Sequence, residues 1–397
     1  MKKFLKKVNI NNFIYLLIIS ICVSQVVKFY TYYQEYSAWQ YSDWVINYQG
    51  GFIRRGFIGE ILFNLYSLTK INLDLIVLFF VTSVIISISY FLIKSQNFLK
   101  NSQLNFLIFL SPGFFLYPLM NSEVTGRKDI LMILSVAALV FLEKKFTNFF
   151  LLLFVIFLII LTALSHSAFI FYIPYILILY YFIIIKRDTN NYKLNLIITI
   201  SISIICLILV FNSQGNYQQV LEICSSVKDF ISEQCSSYGQ ISWLSGNVES
   251  YLVVNKFFVN SKKSILIYLI SLFLVFLFLG LKLFKSKFSI YKKHLFSNLN
   301  PFVVLLILFI FTIPVFILAL DWGRYIYLSY SCSFFVFYYC FENKLIISKY
   351  SLNLKKSIFV ILVCLYSFSW TFPFYSAQNF KFTLSKPVQK ILNKLNY

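Results

Sequence analysis

The chain has 397 residues, 59% of them hydrophobic and 12% charged, with a mean hydropathy of +0.78. No soluble fold hides that much apolar surface, so composition predicts an all-α, polytopic integral membrane protein, one multi-span domain over 1–397. The formal charge of +21 would suit nucleic acid if it were clustered, but its distribution along the chain argues against such a partner.

Runs of about 17 to 22 apolar residues predict about eleven transmembrane helices. They lie near 13–34, 75–94, 104–120, 129–143, 149–165, 168–185, 194–212, 264–283, 301–320, 325–341 and 357–375. The first is too long, and too poor in a small-residue cleavage site, for a signal peptide, and is expected to stay as a helix. With Lys2, Lys3, Lys6 and Lys7 in the cytoplasm, alternation places the loops 95–103, 144–148, 186–193, 284–300 and 342–356 inside. With their flanks, the inside segments hold 20 of the 35 Lys and Arg but only three acids, Glu143, Asp188 and Glu342. This is the positive-inside pattern, and it predicts a cytoplasmic N-terminus.

Two outer segments stand out, 35–74 and 213–263, the second with the spacing of short amphipathic helices on the membrane. The stretch 57–72, "FIGEILFNLYSLTKIN", suits a re-entrant or short helix. The basic tail after 376 falls outside by parity, which means either a surface helix or one misplaced span. Five cysteines fall within spans. Cys224 and Cys235 share the polar outer loop "EICSSVKDFISEQC", where an oxidising compartment favours a disulfide over two unpaired thiols.

The chemistry is expected at the outer face. "NYQGGFIRRGFIGEI" sets Arg54 and Arg55 side by side, with Glu60 one and a half helical turns on. Two adjacent guanidinium forks suit a diphosphate, Gly50 and Gly51 would let the backbone approach a ligand, and a helix start adds anion-binding amides. The competing reading is that the pair contacts lipid headgroups or binds Glu60. "GRKD" at 126–129 repeats the arrangement on a smaller scale with Arg127 and Lys128, and there Asp129 also reads as an acid near a helix cap. Asp43 in "YSDWVINY", Glu60, and His166 in "LSHSAF" are the candidate bases; each also reads as an interfacial or structural group. Asp321 and Arg324 in "LDWGRYIY" either serve the substrate or pair with each other. The sequence has no metal-ligand spacing of His or Cys, no nucleotide-binding pattern and no nucleophile elbow, so no metal and no cofactor are expected.

On "NYQGGFIRRGFIGE", "GRKD" and the many-span architecture, the whole chain resembles the Wzy-type polymerases of O-antigen and capsule repeat units. The resemblance implies a metal-independent membrane glycosyltransferase that acts on undecaprenyl-diphosphate-linked glycan at the periplasmic face. It implies membrane lipid as a partner, with a chain-length regulator and a flippase as further candidates. It assigns Arg54, Arg55, Arg127 and Arg324 to the lipid diphosphate. Family members often carry two large outer loops; this chain has one, plus the compact 35–74 segment, which leaves the acceptor site open. Three alternatives remain, one of them an O-acyltransferase, which would need His166 as its catalytic histidine. A GT-C glycosyltransferase adding one sugar would use Asp43 just after the first span, and a lipid-oligosaccharide flippase would need charges deep in both halves.

Overall fold

The computed structural model describes residues 10–374 except 38, 188–191, 232–238, 247–261, 290–295, 297 and 349. It is predominantly helical, because lipid offers no partner for backbone N–H and C=O groups and a helix satisfies them internally. In chain order the helices are α1 (Ile10–Gln34), α2 (Phe57–Thr69), α3 (Leu73–Lys94), α4 (Gln103–Phe109) and α5 (Tyr117–Met120). Then come α6 (Asp129–Leu142), α7 (Asn148–Ser165), α8 (Ile173–Lys186), α9 (Tyr192–Asn212) and α10 (Tyr217–Val227). The last are α11 (Lys262–Phe284), α12 (Pro301–Leu318), α13 (Trp322–Glu342) and α14 (Lys356–Phe368). An antiparallel pair, β1 (Ser286–Phe288) and β2 (Ile346–Ser348), joins two loops with Lys287 opposite Ile347.

Among the described residues, seven helical segments are long and apolar enough to cross a membrane: α1, α3, α7, α8 together with the 3-10 segment before it (Ser167–Lys186), α9, α11 and α12. Their outer faces carry exposed Leu16, Phe79, Ile204, Phe273 and Ile310, a surface that only lipid covers favourably. The protein is membrane-embedded. The four other expected spans differ, each for a physical reason. The 104–120 segment is broken between α4 and α5, since Pro112 lacks a donor and Gly113 lets the chain press onto α11. A Cβ on Gly113 would lie 2.3 Å from the Val275 side chain. Helices α6 and α14, of 14 and 13 residues, are short for the bilayer core.

Helix α13 covers the expected 325–341 span and has 21 residues, but Ser and Tyr lower its hydropathy. Every residue from Gly323 to Cys340 is buried, since α6, α8, α11 and α12 enclose it. A helix that touches only protein does not need an apolar outer face.

Helix α2 occupies the suspected 57–72 stretch as a 13-residue element, ended by Lys70 in the left-handed conformation. It leans on the loop before it: a Cβ on Gly59 would come 1.8 Å from the Ile46 carbonyl. Amphipathic α10, set by an Asn216/Gln219 capping box, docks on the same loop, with Asn47 Nδ2 donating to Ser226 Oγ at 2.9 Å. The described residues of 35–74 and 213–246 thus form one cap over the bundle end.

Candidate functional site

Five turns converge beneath that cap. Asp43 sits in a single 3-10 turn, Ser42–Val45, whose neighbour Trp44 donates its indole N–H to the Gly126 carbonyl at 2.6 Å. Gly126 has φ +72 and packs so closely on Phe29 that a Cβ would lie 2.1 Å from the ring; both demands select glycine. The turn it makes delivers Arg127, Lys128 and then Asp129, the first residue of α6. His166 lies between α7 and α8, and Arg324 is in the first turn of α13.

The groups interlock. Lys128 Nζ, fully buried, stands 3.5 Å from Asp43 Oδ1 and donates to the Arg55 carbonyl at 2.9 Å. Arg324 Nε pairs with Asp129 Oδ2, while its other nitrogens reach Asp321 Oδ2 at 3.2 Å and His166 Nε2 at 3.1 Å. Arg127 lies 3.8 Å from the same Asp321 oxygen and stacks 4.6 Å over Phe374. Asp43 Oδ1 and Asp129 Oδ1 are buried without a hydrogen-bond partner among the described residues. Asp43 Oδ1 has the Lys128 ion pair, whereas burying Asp129 Oδ1 without a hydrogen bond costs on the order of 1–3 kcal/mol.

Arg55 holds a different position from the other cations. Its φ of 80 is a left-handed conformation that a non-glycine residue adopts only at a cost, and Lys128 holds the carbonyl that results. Its half-buried guanidinium donates to neutral groups, Ser167 Oγ at 3.2 Å and Gln240 Oε1 at 2.9 Å. Arg55, Arg127, Lys128 and Arg324 face three carboxylates, Asp43, Asp129 and Asp321, so the cluster carries one excess positive charge with His166 neutral.

Burial, opposed by Asp43 and aided by nearby Arg55, lowers the Lys128 ammonium to about 8, so it is charged at neutral pH. Burial first, and then Arg55, Arg324, Lys128 and Arg127, push His166 well below the usual imidazole range. Its Nδ1 accepts from the Ala168 backbone N–H at 3.2 Å while Nε2 faces Arg324. A neutral ring keeps one N–H, and the second proton of an imidazolium would point at the Ala168 N–H. His166 is a poor base here.

The sequence-predicted residues therefore divide. Asp43, Arg55, Arg127, Lys128, His166, Asp321 and Arg324 meet. Glu60 accepts from the Tyr48 N–H at 2.8 Å and from Asn64 Nδ2 at 3.1 Å, so it tethers the loop to α2 and pairs with neither arginine in these contacts. Arg54 turns away from Arg55 and donates to the Gly246 carbonyl at 3.1 Å, while its own N–H reaches the Ser213 carbonyl. The glycines serve chain packing rather than ligand approach: a Cβ on Gly50 would lie 2.5 Å from the Gln219 carbonyl oxygen. Cys224 is disulfide-bonded; Cys235 lies outside the described residues.

Sequence reasoning passed over Asp129 as a site residue, although an acid opening an apolar span is a costly choice that signals a partner. Ser167 and Gln240 carried no sequence signal at all. Arg55, Lys128 and Arg324 can hold anionic oxygens, and Asp43 can accept a proton. Comparison with family models, with curated proteins and with solved structures finds no match.

Proposed function

We propose that this protein is a membrane glycosyltransferase that polymerises undecaprenyl-diphosphate-linked repeat units at the outer face of a bacterial inner membrane. Arg55 carries the reading: a half-buried guanidinium, held in a strained backbone by Lys128 and bound only to neutral partners in these contacts, suits an anionic substrate better than a folding role. In the reaction an acceptor hydroxyl oxygen bonds to the anomeric carbon of the growing chain. The bond from that carbon to the diphosphate oxygen breaks, and its electron pair leaves with the diphosphate. Arg55 and Lys128 stabilise the negative charge that grows there, and Asp43 takes the hydroxyl proton. The N-terminus lies in the cytoplasm, and α6, α13, α14 and the broken α4–α5 segment complete about eleven crossings.

The test is polymer formation from purified lipid-linked repeat units, normalised to folded protein. Arg55→Ala lowers turnover by roughly 10²-fold or more, the scale for losing one preorganised charge-stabilising donor. Arg55→Lys recovers part of it, because a point charge does not reproduce the fork. Near-normal polymer from Arg55→Ala would sink this reading. A product longer by one sugar, without a ladder, would favour the single-sugar transferase.

A further inference from the structure

At the opposite end of the bundle lies a second polar site. Helix α13 carries Arg324 near its start and Glu342 at its end, so the two sites are about 27 Å apart at 1.5 Å per residue. A cavity of about 420 Å³, within the range of small-ligand sites, opens there between the ends of α11 and α13, the start of α4 and strand β2. Its deepest charge is Lys282, 6% exposed. The ammonium donates to Asn105 Oδ1 and rests 4.5 Å and 4.1 Å from the ring centroids of Phe98 and Phe341. An ammonium has three N–H donors, and among these neighbours only Asn105 supplies an acceptor oxygen.

The rim has two characters. Lys344 and Glu342 are exposed on it, which gives the lining a net charge of +1 when Lys282 is protonated. Ile347 and Tyr350, also exposed, make part of it apolar. A deep cation, an apolar lip and a place at the Lys-rich end of the helices describe a receptor for an amphiphile with one negative charge. Basic pockets between spans are where anionic headgroups bind.

We infer that this cavity binds an anionic phospholipid, with the headgroup phosphate on Lys282 and the glycerol ester region against Ile347 and Tyr350. Lys344 adds a second cation to the phosphate, while Glu342 repels it and limits its affinity. The site is independent of the glycosyl-transfer reading.

Native mass spectrometry of the full chain, purified in detergent with equimolar phosphatidylglycerol and phosphatidylcholine, tests this. The wild type retains phosphatidylglycerol several-fold over phosphatidylcholine, and Lys282→Met reduces the ratio to near one. Lys344→Gln on the exposed rim halves the preference without touching the buried interior, and so serves if Lys282→Met does not fold. Lys355→Gln, away from the cavity lining, leaves the preference unchanged, and Glu342→Gln raises it. A preference unaltered in Lys282→Met and Lys344→Gln overturns the site. Weaker binding in Glu342→Gln would show a headgroup amine on that carboxylate and overturn the anionic assignment. Inorganic phosphate that displaces the lipid at millimolar concentration would make this a free-anion site and overturn the lipid.

Discussion

The two ends of this bundle both concentrate charge, yet they treat it differently. At the capped end, Arg127, Lys128 and Arg324 pair with three carboxylates brought from separate turns, and Arg55 stands beside them on neutral partners. At the other end, cations outnumber acids, and those drawn into the fold rest on oxygens and rings. Arg187 reaches Glu143 at 2.7 Å and the Phe146 carbonyl at 3.0 Å, and Lys282 lies between two phenylalanines. Similar residue types are therefore doing two jobs. Charges that must be matched one by one belong to tertiary structure; an excess of one sign belongs to the membrane surface and sets orientation.

The largest break in that contrast comes from Arg324. Arg324→Ala strands Asp129 as a buried, uncompensated carboxylate, and removing one partner of such a pair costs about 3 to 5 kcal/mol. Folded yield in membranes should collapse, and Arg324→Lys should restore little, because one ammonium cannot serve Asp129, Asp321 and His166 together. A normal yield from Arg324→Ala would show that the cluster does not hold the fold.

Arg54 sharpens the comparison next. Arg54→Ala loses a charged hydrogen bond to Gly246, about 1.5 to 3 kcal/mol, and should lower thermal stability while turnover per folded molecule stays within a few-fold. Arg55→Ala should do the reverse, and equal losses of turnover in both would return the pair to a shared diphosphate clamp.

The pH dependence of binding should then identify Lys128. Its ammonium loses its proton near pH 8, removing the excess positive charge, so binding of a lipid diphosphate should weaken by about tenfold above that pH. Linkage runs the other way for folding. Between pH 8 and 10.5 the unfolded chain holds the Lys128 proton that the folded chain has released, so this group adds stability as pH rises. Unfolding at Lys128 therefore does not explain the loss, and Lys128→Arg should move the fall to higher pH. Binding flat to pH 10 would remove Lys128 from the site.

The smallest effect belongs to Glu60. Glu60→Gln keeps an acceptor for the Tyr48 N–H, so stability should drop by no more than about 1 kcal/mol and turnover should hold. A hundredfold loss of turnover would reinstate Glu60 as the base.

Much of this was legible before any fold was known. Hydropathy is a property of each residue summed over a window, so the chain itself determined its membrane class, and seven of the expected spans are helices of suitable length. The cost of placing ions near lipid likewise marked the turns holding Asp43, Arg55, Lys128, His166 and Arg324, whatever their neighbours. Which charges meet was decided only in three dimensions, because a pairing is a distance between turns and not a spacing along one. Two adjacent arginines look like a clamp in sequence, but the left-handed backbone at Arg55 sends it to Ser167 and Gln240 while Arg54 goes to Gly246. For the same reason Glu60 is a tether, Asp129 is the partner of Arg324, and the polar helix α13 is the most enclosed: hydropathy reports what a helix can face, and packing decides what it does face.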